Sequence, residues 1–223
     1  MCFSASASFG ASIALSAIGA VTLQKAKNHS QIMFAAIPLI FSIQQFFEGI
    51  VWLSFTNPEY AVWREKAAYT FLFFAHVVWP VWVPLAMLYL ENEKKRIRIL
   101  QVLSLMGIIV AVNLAYCLVY FNVQPVVSNH HIVYDLDFPV LFLNYGIIFY
   151  VLVTVIPAFI SSIYKMRTFG FIMLFSYFFA EIFYTEYLLS MWCFFAAVLS
   201  ISVFIIIRDL QKTSLKLKVY FTK

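Results

Sequence analysis

Apolar residues run in long stretches separated by short polar breaks. Seven of these stretches, at 3–24, 32–55, 67–90, 99–121, 139–164, 169–187 and 189–207, are about as long as a bilayer-crossing helix. The last two form one run interrupted only by Glu181, Glu186 and Ser190. They read as two spans, because a single helix of that length would hold its middle in water. The pattern therefore predicts an all-α fold, a seven-transmembrane-helix bundle over residues 1–207 with a basic tail at 208–223. The break at 122–138 differs from the others. Gln124–Val127 and His130–Tyr134 are β-prone runs flanking Ser128-Asn129, which predicts a short hairpin between helices 4 and 5. Over the mouth of a bundle it serves as a lid or simply as an ordered loop.

Composition sharpens the class. Of 223 residues, 64% are hydrophobic, 19% aromatic and only 11% charged, against about a quarter charged in soluble domains. A soluble fold, a disordered chain and a disulfide scaffold are excluded. The net charge of +5 calls for no nucleic-acid partner, since the basic residues sit in loops and tail facing anionic lipid. All but two of the 15 Lys and Arg fall on one side of the bundle, leaving Arg64 and Lys66 on the other. By the positive-inside rule the N-terminus faces out and the C-terminus in, as expected for a multi-pass protein of the cytoplasmic (inner) membrane. The first stretch has its positive charges after it, so it reads as an anchor rather than a cleaved signal. Within it, Ser4, Ser8, Ser12 and Ser16 form a stripe of small residues that lets a neighbouring helix approach closely.

Ionisable groups inside a span are costly and need a reason. The candidates are Glu48 beside Gln44 and Gln45, His76, Asn113, Asn144 and Glu181. At about 1.5 Å per residue, all lie about 8–13 Å from the outer ends of their spans. That common level on five helices predicts one buried polar site open to the outside. Tyr177 shares a helix face with Glu181, and Tyr116 and Tyr120 share one with Asn113. His130 and His131 belong to the hairpin above it.

Cys2 follows Met1 directly and precedes Ser4, a predicted N-cap, at a helix N-terminus that favours thiolate. His76, Glu48 and Cys2 would suffice to hold a divalent metal such as zinc, with Glu48 or Glu181 as general base in hydrolysis of a lipid-like or small substrate. The alternative is a transporter of small molecules or ions, or a ligand-binding or sensor protein without catalysis; Pro80, Pro84 and Pro157 would permit gating. The inner half of the bundle carries no ionisable group, which leaves a transport path incomplete. Covalent retinal is disfavoured because no span contains a lysine. Cys117 and Cys193 read as buried thiols or as a disulfide.

The opening Met1-Cys2-Phe3-Ser4-Ala5, the run Gln44-Gln45-x-x-Glu48-Gly49-x-x-Trp52, and His76-x-x-Trp79-Pro80-x-x-x-Pro84 together resemble an uncharacterised family of bacterial multi-pass membrane proteins. The resemblance implies no activity. It singles out Cys2, Glu48 and His76. The seven-helix zinc hydrolases, such as alkaline ceramidases, are an architectural analogy only: they use three histidines, where this chain has one within a span.

Overall fold

The computed structural model describes residues 4–128 and 131–221, with side chains except at 140–145, 186, 193, 194, 196–198 and 213–221. Helix α1 (Ala5–Lys25) is capped by Ser4, whose hydroxyl accepts from the Ala7 amide. Helices α2 (His29–Ala35) and α3 (Ile37–Thr56) break at Ala36, where Pro38 in the first turn of α3 cannot continue the preceding hydrogen-bond ladder. The serine stripe of α1 lies against α3. Ser12 donates to the Ser42 carbonyl at 2.8 Å and Ser42 to the Ser12 carbonyl at 2.9 Å.

After a 3₁₀ turn at Pro58–Trp63, α4 (Arg64–Phe73) passes through a π-helical turn at Phe74–Val78 into α5 (Trp79–Leu90). Helix α6 (Lys94–Tyr120) leads to an antiparallel hairpin, β1 (Val123–Ser128) and β2 (His131–Leu136), paired from Val123 with Leu136 to Ser128 with His131. Helices α7 (Val140–Ile160) and α8 (Tyr164–Phe183) follow, then a 3₁₀ turn at Thr185–Tyr187 and α9 (Leu188–Phe221). The predicted hairpin is present, but its strands run longer than the expected Gln124–Val127 and His130–Tyr134, and Ser128, expected in the turn, ends β1. Helix α9 continues past the predicted end of the last span, near 207, through the basic tail to Phe221. Its 34 residues span about 51 Å.

Among the described residues, five helical stretches are long and apolar enough to cross a membrane: Ala5–Lys25, His29–Thr56, Pro58–Leu90, Lys94–Tyr120 and Tyr164–Phe183. The described part of α7, Gly146–Ile160, is a shorter apolar helix. Two apolar cores fill the bundle. One gathers Phe34, Met87, Leu100, Met166 and Ile207; the other gathers Val51, Phe71, Leu72, Ile132 and Tyr134 under the hairpin.

The end opposite the hairpin is tied by polar contacts between helix ends and the loops beside them. Arg96 donates to the Ile160 carbonyl at 2.8 Å, Lys165 pairs with Asp209, and Gln211 donates to Gln31 at 2.7 Å. Glu91, just past α5, accepts from the Ser162 amide at 2.7 Å and the Ser162 hydroxyl at 2.8 Å, and from the Asn92 and Glu93 amides. Burial pushes its carboxyl up, but these donors outweigh burial and hold it below the ordinary carboxylate value. A carboxylate depressed on folding contributes stability that is present above its unfolded pKa and is lost as pH falls through the folded one. Glu91→Ala, which strips four donors of their acceptor, is expected to cost about 1–3 kcal/mol. Thermal unfolding in detergent should show the wild type losing this margin on acidification below about pH 4.5, with the variant flat over the same range.

Candidate functional site

The site begins with a proline. Pro80 has no N–H. Across the π-helical turn the Trp79 amide reaches back five residues to the Phe74 carbonyl. In that register the next donor in line, for the Ala75 carbonyl, would be residue 80, which is proline. The orphaned carbonyl is met from another helix: the Tyr150 hydroxyl of α7 donates to it at 2.6 Å. The turn thus fixes Tyr150 against α5, and it carries His76 on its wall. Such π turns concentrate at functional sites.

Beside the turn is a cavity of about 280 Å³. Its floor and sides include Ala75, His76, Leu114, Tyr150, Leu189 and Trp192. Its roof is the hairpin, from which Ile132, Tyr134 and Leu136 face inward, with Phe138 just beyond. The roof is well seated. Tyr134 stacks on Phe71 with ring centroids 5.0 Å apart, and Ser190 donates to the Ile132 carbonyl at 3.2 Å. The wall is mostly apolar, with Thr185, Tyr134 and Tyr150 also among its residues. Its imidazole is His76, 8% exposed, with the Leu72 carbonyl as its hydrogen-bond partner one turn back.

The predicted common site is only partly assembled. His76 reaches the cavity. Glu48 is fully buried on α3, but it does not line this wall; its neighbour Gln44 accepts the Trp79 indole N–H at 2.7 Å. Glu181 also lies off the wall. It hydrogen-bonds with Tyr177, whose ring packs edge-on against Trp192 at 5.3 Å. Asn113 is a correction. It is exposed on the outer face of α6 and donates to the Ile109 carbonyl of its own helix at 2.8 Å, with Tyr116 and Tyr120 exposed on the same face. His131 closes the hairpin turn, stacked on Tyr187 at 4.2 Å, and is not part of the cavity wall. Cys2 and His130 lie outside the described residues, as does the side chain of Asn144. Cys117 is a buried free thiol. Among the described residues, no three of His, Cys, Asp and Glu come close enough together to hold a metal ion.

Tyr150 and Trp192 were not among the residues singled out from the sequence. The only available signal for Tyr150 was Pro80, which announces a freed carbonyl without saying which helix supplies the donor. Tyr150→Phe leaves the Ala75 carbonyl without that donor. It is expected to lower stability by about 1–3 kcal/mol, measured by thermal unfolding in detergent.

A family model described as a family of unknown function (DUF6629) matches residues 1–217. No curated protein and no solved structure matches the chain.

Proposed function

We propose that this chain, which belongs to the family of unknown function DUF6629, is a membrane protein that holds a small apolar or amphipathic molecule in the cavity around His76. The observation that carries the proposal is the cavity itself: about 280 Å³, mostly apolar, roofed by a packed hairpin and provided with a single buried imidazole. Ligand sites are largely apolar concavities with a few polar groups that fix orientation. Binding without catalysis fits this wall better than metal-dependent hydrolysis. A zinc site would need His76 to be joined by donors that the described residues do not bring to it, since Glu48 and Glu181 lie off the wall.

In this proposal the chain crosses the cytoplasmic membrane seven times, with α7 and α9 completing the five long apolar stretches. The hairpin end faces out and the basic end faces in. Support comes from the gathering of Arg96, Lys165 and Asp209 at one end and of the hairpin at the other. A membrane-impermeant thiol reagent applied to intact cells should modify Glu59→Cys and spare Lys212→Cys. The reverse pattern would overturn the orientation.

The ligand is tested by organic extraction and mass spectrometry of protein purified into nanodiscs. The wild type should carry an amphiphile in near-equal molar amount above an empty-disc background. Leu189→Trp, which fills the cavity from one wall, should lose it. Wild-type protein carrying nothing above background, with no uptake of added fatty acid, would sink the proposal.

A further inference from the structure

A second, smaller cavity of about 50 Å³ lies beyond the first, toward the basic end. Phe41, Trp79, Val83, Phe169 and Met173 form its wall, all of them apolar or aromatic. Tyr150 and Trp192 line both cavities. The two spaces are therefore consecutive chambers divided by one aromatic pair.

The two members of the pair are held differently. Tyr150 is fixed through its hydroxyl to the Ala75 carbonyl. Trp192 is held by edge contacts, 5.6 Å from Tyr150 and 5.3 Å from Tyr177. A rotation of Trp192 would join the chambers, while Tyr150 stays in place. A gap opened at the edge of one ring admits a methylene chain more readily than a ring system. The upper chamber supplies the polar end, through the imidazole of His76 in its wall. In the lower chamber the Thr154 hydroxyl is already given to the Tyr150 carbonyl at 2.8 Å and the Trp79 indole N–H to Gln44.

Resting on the ligand reading above, we propose that the occupant is a single-chain amphiphile. Its carboxyl or hydroxyl head meets His76 beneath the hairpin, and its alkyl chain passes Trp192 into the chamber lined by Phe41, Phe169 and Met173.

The test uses two fatty acids with a photoreactive diazirine at the chain end, one of octanoate length and one of palmitate length, added to the full chain in nanodiscs and mapped by peptide mass spectrometry. The palmitate-length probe should label Phe41, Phe169 or Met173, and the octanoate-length probe Leu114 or Leu189. Met173→Trp should move the long probe's adducts back to the upper chamber. Should that variant fail to fold, competition of unlabelled palmitate against the lower-wall adducts in the wild type serves instead and should remove them. His76→Phe, which keeps a ring in the wall and removes its polar atoms, should weaken labelling by both probes about fivefold, the scale of one hydrogen bond; undiminished labelling would overturn the assignment of the head. If the long probe labels only the upper wall, as the short one does, the two-chamber inference fails and the ligand site stands. If both probes label only the exterior of α6, at Ile109 and Val112, the ligand site fails as well.

Discussion

Gly107→Ala is expected to destabilise the bundle by about 3 kcal/mol, at the upper end of overpacking costs. In a free helix the same change would stabilise by about 1 kcal/mol. The sign reverses because of what faces Gly107. Pro80 offers its carbonyl to residue 84, four positions on, and that residue is also proline, with no N–H to give. The carbonyl therefore projects from α5 unpaired within its helix, and α6 meets it with a glycine. A Cβ at Gly107 would run into the Pro80 oxygen, with the Pro84 ring 3.3 Å away on the next turn. Neither backbone nor proline ring can swing aside, so the α5–α6 contact must open. Fluorescence-detected size exclusion after a heat ramp reads the effect directly. A melting temperature equal to or above that of the wild type would show that the helices separate without cost. Gly10, where an added Cβ meets nothing, is the control: Gly10→Ala should leave stability unchanged or slightly raised.

Trp79→Ala is expected to cost about 3–5 kcal/mol, the range for deleting a buried aromatic. Trp79 is 4% exposed, stacks on Phe41 with centroids 3.9 Å apart, and donates to Gln44 at 2.7 Å. It therefore links the first turn of α5 to α3 by both packing and a polar contact. Trp79→Phe keeps most of the ring and loses the indole N–H, so it should cost about 1 kcal/mol. The difference between the two variants in thermal unfolding separates packing from hydrogen bonding. Equal losses would mean that the N–H, and not the ring, carries the contact. Trp79→Ala also enlarges the lower chamber, so a small apolar solute such as benzene should raise its melting temperature by more than it raises that of the wild type.

The helices were legible because long apolar runs and charged breaks are one-dimensional signals. The hairpin was legible because β-prone runs and Ser128-Asn129 are local chemistry. The candidate site was legible only in part, for a geometrical reason. Counting residues from the end of a span gives depth, but whether a side chain enters the bundle depends on rotation about the axis, about 100° per residue. His76 and Asn113 were placed at similar depth. One faces the cavity, and the other faces outward and satisfies itself on Ile109. A hydrophobic stripe would have given the rotation, but α6 is apolar nearly all round, with Ile109, Val112 and Val119 exposed and Leu114 and Leu118 buried. The break at Ala36 had its marker in Pro38. The π turn had one in Pro80, but a proline marks only where the ladder is interrupted, not how the helix widens to accommodate it.

The π turn also sets a phase. Five residues do there what about four would do in a regular helix, so α4 and α5 are out of step by one position. Removing one residue between 74 and 78 would restore an even ladder, leave α4 and α5 in their present phase, and abolish the widened turn. Ala68, Phe71 and Leu72 would keep their packing, but the turn would lose the width that frees the Ala75 carbonyl for Tyr150 and sets Ala75 and His76 in the cavity wall. The length of this segment is therefore as much a determinant of the chamber as any side chain that lines it. A shortened chain would remain as helical and as apolar as before, and would no longer enclose the same space.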